Sequence, residues 1–150
     1  MKIPNAALAY RESASIGATP VGVVVLLYDR LAQDVHAAIA AMKSNDVEGR
    51  SLSINHALLI LQQLQGRLDF SAGGAPARQL DAFYSHIRGK LLEAQIRRSP
   101  ELLLTQAQVI TQVRESWAEA ERSTSQVPAA VAPSAVETAS AGTGPLNLGA

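Results

Sequence analysis

From Pro20 to Ser123 the apolar residues recur at spacings of three and four rather than two, the repeat of helices that each bury one face. Capping chemistry divides that stretch into pieces. Thr19-Pro20 and Ser99-Pro100 each set a hydroxyl N-cap before a proline at the first helical position, where the missing N–H costs nothing. Lys43-Ser44-Asn45-Asp46 reads as a turn ending in an N-cap. Gly73-Gly74 reads as a helix end that tolerates left-handed backbone, with Pro76 opening the next helix. Four helices are therefore predicted, over 20–43, 47–71, 76–98 and 100–123. Their connections are short enough to force neighbours antiparallel, so the fold class is all-α, an antiparallel up-and-down four-helix bundle. The inward stripes are Val24, Tyr28, Leu31, Val35 and Met42; Ile54, Leu61, Leu64 and Leu68; Leu80, Phe83, Ile87 and Leu91; and Leu102, Val109, Val113 and Trp117. The run Val23-Val24-Val25 favours strand locally, but its place inside a capped helical pattern outweighs that propensity.

The pattern stops at both ends. Residues 1–18 make a mixed N-terminal arm whose apolar members are Ile3, Leu8, Tyr10 and Ile16, and such an arm must dock somewhere or stay mobile. After Ser123, residues 124–150 hold a single charge, Glu137, among Ala, Pro, Ser, Thr and Gly, the composition of a disordered tail. The expected organisation is arm 1–18, bundle 19–123 and tail 124–150.

Several large aliphatics fall nearly opposite their own helix's inward stripe: Val23 and Leu26 beside Arg30, Leu52 and Leu59 beside Gln63, and Leu104 beside Thr111. Burying a side chain of this size is worth about 1.5–3 kcal/mol, so five represent roughly 8–15 kcal/mol, comparable to the stability of a whole domain. Three readings account for them: the helix boundaries lie elsewhere than the caps suggest, the domain dimerises through them, or they form external apolar grooves for a partner's amphipathic helix, read through anchors at i, i+3, i+4 and i+7. Gly66, one helical heptad beyond Leu59, lacks a side chain and lets a foreign helix approach closely.

Composition narrows the function classes. A chain of 150 residues with 47% apolar content suits one compact domain. Thirteen Lys and Arg balance thirteen Asp and Glu, so no global positive field gathers phosphates, and nucleic acid is not an expected partner. The absence of Cys removes disulfides, thiolate metal sites and a cysteine nucleophile, and is compatible with the cytoplasm. The densest apolar run, Val21 to Tyr28, meets Asp29 and Arg30 far short of the roughly 20 residues that span a bilayer, so membrane insertion is not expected. Met1 to Tyr10 carries one Lys and then Pro4 and Asn5 rather than an apolar run, unlike a secretory signal.

No catalytic constellation emerges. His36, His56 and His86 stand apart and match neither HExxH nor the Glu-x-x-His pairs of di-iron bundles, so no metal or cofactor is expected. Asp29, Asp34, Glu115, Glu119 and Glu121 sit with Arg nearby, as on a solvated face. Ser71 to Pro76 lacks the Lys and Ser/Thr of a phosphate loop. His86-Ile87-Arg88-Gly89-Lys90 loosely approximates the phospho-accepting helix of a histidine phosphotransfer domain, although its Gly and base stand at the wrong offsets and His86 borders the inward stripe.

In order along the chain, Asn5, Ala9-Tyr10-Arg11, Ala18-Thr19-Pro20, Leu26-Leu27-Tyr28-Asp29, Leu68-Asp69, Gly73-Gly74, Phe83-Tyr84, Leu91-Leu92-Glu93-Ala94 and Arg114-Glu115-Ser116-Trp117 resemble the successive motifs of the flagellin export chaperone family, FliS. The resemblance covers nearly all of residues 5–120. The chain departs from the family pattern at Ala75-Pro76-Ala77, at Arg30 and at Gln95. The resemblance implies a cytoplasmic, non-enzymatic chaperone, monomer or weak dimer. Such a protein binds the C-terminal segment of flagellin, prevents its premature polymerisation and presents it to the flagellar type III export apparatus. On that view the client wraps the outside of the bundle near Val23, Leu26, Leu52, Leu59, Gly66 and Leu104. Tyr10 and Ile16 on the arm either anchor the N-terminus or cover part of this surface until the client displaces them. A phosphotransfer bundle and a self-associating helical protein are the competing classes.

Overall fold

A computed structural model describes residues 19–125. Four helices follow one another: α1 (Pro20–Lys43), α2 (Val47–Gly66), α3 (Phe70–Arg97) and α4 (Pro100–Ser125), with no strand among the described residues. Three of the starts are capped as their sequences predict. Thr19 Oγ1 accepts from the Gly22 N–H at 2.9 Å, Asp46 Oδ1 from the Gly49 N–H at 2.9 Å, and Ser99 Oγ from the Leu102 N–H at 3.1 Å. Asn45 and Arg98 turn the chain with φ of 58° and 52°, in the left-handed region.

The boundary between α2 and α3 differs from expectation. Helix α2 closes at Gly66 rather than running on to residue 71, because Asp69 restarts the helix by accepting from the Ser71 and Ala72 N–H groups, both at 3.1 Å. These bonds hold the Asp69 carboxyl below the usual carboxylate range. Gly73-Gly74 is therefore not the end of the second helix. It is a break inside α3, where Gly74 takes φ 55°, ψ −132°, a conformation that L side chains rarely adopt, and Pro76 stands at the head of the long segment that follows. The glycine signal was real, but it marks a kink after one short helical turn.

The described residues divide into two compact units. In one, residues 19–27 accompany 114–125, and the Thr19 hydroxyl that caps α1 also donates to Glu121 Oε1 at 2.7 Å. Val21, Val25, Ala118 and Ala120 are buried there. The second unit, Tyr28–Val113, holds segments of all four helices and is an all-α antiparallel bundle. Its largest fully buried side chains are Tyr28, Leu31, Val35, Ile54, Leu61, Leu64, Tyr84, Ile87, Leu91, Leu103 and Ile110. At its centre the Tyr28 hydroxyl donates to the Tyr84 hydroxyl at 3.0 Å, their rings tilted at 57° with centroids 6.2 Å apart.

The inward stripes of α1 and α2 agree with the sequence pattern from Tyr28 onward, except that Ala41 is buried and Met42 and Leu68 are only half-buried. On α1, Val21 and Val25 are buried in place of Val24, and on α3 Tyr84 in place of Phe83. On α4 the phase is wrong by one residue: Leu103, Ala107, Ile110 and Ala118 are buried, whereas Leu102, Val109, Val113 and Trp117 are half-buried. Small alanines define that face, and a wheel weighted by large side chains overlooks them.

Candidate partner-binding surface

Side-chain hydrogen bonds fix how α2 and α3 pair. Gln65 Nε2 donates to Asp81 Oδ1 at 2.9 Å and to Ser85 Oγ at 3.3 Å, and Gln95 Nε2 donates to Ser51 Oγ at 3.4 Å. The helices are antiparallel, so the start of α2 lies beside the end of α3. Residues 51, 58 and 65 recur every seventh position and line the α2 side of the seam, while 81, 85, 88 and 95 line the α3 side. One step around α2 from that row stand Leu52, Leu59 and Gly66, pointing away from the buried row Ile54, Ala57, Leu61 and Leu64. One step around α3 stand Leu92 and Ile96.

These apolar side chains are open to solvent. Leu52 is 72% exposed, Leu59 55%, Leu92 43% and Ile96 82%, all on the same side of the α2–α3 seam. Leu104, on α4, is 45% exposed. Val23 and Leu26, expected outside as well, are half-buried on the first turns of α1, in the other compact unit. A Cβ built on Gly66 would meet no atom within 4 Å. Tyr10 and Ile16 lie outside the described residues. The apolar pattern alone does not single out Leu92 and Ile96, although their positions off the Leu80, Phe83, Ile87 and Leu91 stripe carry the signal.

Asp34, expected on a solvated face, is buried instead, and so is Glu121, which accepts from Thr19. Asp34 Oδ2 stands 2.5 Å from His56 Nδ1 and its Oδ1 3.7 Å from Arg30 Nε, joining α1 to α2. No hydroxyl hydrogen-bonds to His56 among the described residues. His86 is exposed, but the nearby Lys90 is engaged with Glu93 at 3.4 Å, and Glu93 also takes Arg97 at 2.7 Å. These two cations hold the Glu93 carboxyl below its ordinary range. His36 borders an open depression with Ala107, Gln108, Thr111 and Gln112 that encloses nothing. No group of three or more His, Cys, Asp or Glu that could hold a metal occurs among the described residues, and no helix there is long and apolar enough to cross a membrane.

A fold of four helices with an outward apolar row suits many proteins, so comparison of the whole chain decides between them. The family model described as flagellar protein FliS matches residues 3–124. The chain belongs to the FliS family. The flagellar secretion chaperone FliS of Bacillus subtilis is 24% identical over 120 residues, covering 80% of this chain and 89% of that protein. Those of Salmonella typhimurium and Escherichia coli are 24% and 25% identical, over 71% and 72% of this chain and 79% and 80% of their own lengths. The FliS match includes nearly all of residues 19–125, so the exposed α2–α3 row is part of the family domain.

Proposed function

We propose that this protein is a flagellar secretion chaperone of the cytosol, without enzymatic activity, that binds the C-terminal segment of flagellin and delivers it to the export apparatus. The observation that carries this reading is the family match over residues 3–124, with relatives named flagellar secretion chaperones. The outward row Leu52, Leu59, Leu92 and Ile96 supports it physically. A client that is disordered before binding surrenders chain entropy when it orders, and only extensive apolar burial offsets that loss. Leu104 supplies a further anchor. Val23 and Leu26, being half-buried, contribute less exposed area each.

Calorimetric titration with cognate flagellin monomer, and with flagellin lacking its C-terminal segment, tests the proposal. Binding of the intact monomer alone, with a large negative heat-capacity change, is the expected result. Absence of binding to either protein refutes it. Deleting residues 1–17 separates the two roles of the arm: displacement predicts faster client association with the fold intact, and an unchanged association rate leaves Tyr10 as an anchor.

A further inference from the structure

Between α2 and the long segment of α3 the chain makes a short unit of its own. Helix α2 closes at Gly66, and the next two N–H groups, of Arg67 and Leu68, donate to the Leu64 and Gln65 carbonyls, each at 3.2 Å. Asp69 then starts a single helical turn. Its Oδ1 accepts from the Ser71 and Ala72 N–H groups at 3.1 Å and from the Ser71 hydroxyl at 2.8 Å, and its carbonyl accepts from the Gly73 N–H at 2.6 Å. The turn ends at Gly74, whose φ of 55° and ψ of −132° break the helix. It cannot merge with the segment that follows, because Pro76 has no N–H for the Ala72 carbonyl and its ring would crowd that carbonyl in a continuous helix. Gly73 serves the bend too, since a Cβ there would stand 2.9 Å from the Ala77 Cβ.

What holds this turn is local. No residue from Gly66 to Pro76 is buried. Among the described residues, every side-chain hydrogen bond made by 66–76 begins and ends within 69–72. Just beyond either end the chain is fixed: Leu64 and Ala77 are buried, and Gln65 is bonded to Asp81 and Ser85. A segment that buries no side chain, bracketed by anchored residues, opens at a lower free energy than the core around it. Phe70 rides on this segment. At 47% exposed it is the single aromatic among the exposed large apolar side chains of the described residues.

We infer that Asp69–Gly74 is a hinged flap, which pivots about Gly74 and opens while the bundle stays folded, with the Asp69 carboxylate as its latch. Closed, the turn leaves Phe70 partly shielded; open, it frees the ring. The position of this equilibrium sets how much aromatic surface the connection between α2 and α3 presents. The latch and the apolar cost of freeing the ring both favour the closed form. The inference does not depend on the chaperone reading.

Amide hydrogen exchange of the full chain, read residue by residue by NMR at several urea concentrations below the unfolding transition, tests the flap. After correction for intrinsic rates, exchange at Ser71, Ala72 and Gly73 is expected to be on the order of a hundredfold or more faster than at Ile87 and Leu91. It is also expected to be independent of urea, because local opening exposes little surface, whereas exchange at Ile87 and Leu91 rises with urea. Asp69→Ala is expected to raise exchange at the three turn amides by on the order of fivefold and to leave Ile87 and Leu91 near wild type. The double variant Gly74→Ala, Pro76→Ala can run a continuous helix, and is expected to slow exchange at Gly73 by about tenfold or more. Turn amides that match Ile87 and Leu91 in rate and urea dependence overturn the flap. Unchanged exchange in Asp69→Ala overturns the latch, and wild-type exchange at Gly73 in the double variant overturns Gly74 as the pivot.

Discussion

The tyrosine pair at the centre of the bundle offers a sharp energetic test, because its two hydroxyls depend on each other. Tyr28 and Tyr84 are 0% and 2% exposed, and the 3.0 Å bond joins them. Replacing either by Phe keeps the ring contact, so the substitution removes little besides one hydroxyl. In Tyr28→Phe the Tyr84 hydroxyl is then left in the interior without that partner, at a cost of about 1–3 kcal/mol. Replacing both removes the stranded group, so the double variant is expected to lie close to wild type in stability and well short of the sum of the singles. In urea, with a slope on the order of 2 kcal/mol/M, Tyr28→Phe lowers the midpoint by roughly 1 M, while the double variant recovers most of that. Far-UV circular dichroism reports the transition. Burial also pushes the Tyr84 phenol far above its ordinary range, with the neighbouring Tyr28 acting in the same direction. An acid whose folded pKa is raised contributes stability that is complete below its unfolded pKa, near 10, and is lost as pH climbs beyond it. Wild-type stability should therefore fall above about pH 10, with a slope of up to about 1.4 kcal/mol per pH unit from Tyr84, and Tyr84→Phe should flatten the fall. Additive single-variant losses, or an alkaline profile unchanged in Tyr84→Phe, would refute the reasoning.

Three further outcomes are expected. Two helical glycines should respond to alanine with opposite signs: Gly89→Ala raises stability by about 0.5–1 kcal/mol, whereas Gly49→Ala lowers it, because the new Cβ collides with the Asp46 carboxylate that caps α2; differential scanning calorimetry of the two variants checks the pair. Asp34→Ala removes the bridge to His56 and Arg30 and is expected to cost about 1–3 kcal/mol in chemical denaturation, against little for Arg30→Ala, whose contact is longer and half exposed. Arg98→Gly places at the end of α3 the residue suited to its left-handed φ of 52°, and should raise the melting temperature by a few degrees, corresponding to about 0.5–1 kcal/mol.

The sequence made the helices legible because their punctuation is local. Thr19, Asp46 and Ser99 cap where they stand, through bonds to N–H groups three residues on, and need no tertiary information. The failures are nonlocal or depend on competition. Gly73-Gly74 looked like a terminus, but Asp69 opens a helical turn before it, so the same glycines became a kink. Asp34 and Glu121 looked like surface carboxylates beside arginines, and only the folded chain brings His56 to one and Thr19, 102 positions away, to the other. The α4 stripe slipped by one residue because Ala107 and Ala118 fill the buried face while Leu102 and Val109 stand at its margin.

The candidate surface was half legible for a related reason. A periodic pattern states which side chains point away from their own core, and that was enough for Leu52, Leu59 and Leu104. It does not state which outward rows of two helices lie side by side. Gln65 and Gln95 supply that register, and with it Leu92 and Ile96 join the α2 leucines while Gly89 and Gly66 become two openings on one face. Stability alone would favour a side chain at Gly89, where there is room and helical backbone for one. A surface that keeps this position empty and keeps a 72% exposed leucine and an 82% exposed isoleucine at the same level is shaped by something other than the stability of the isolated chain.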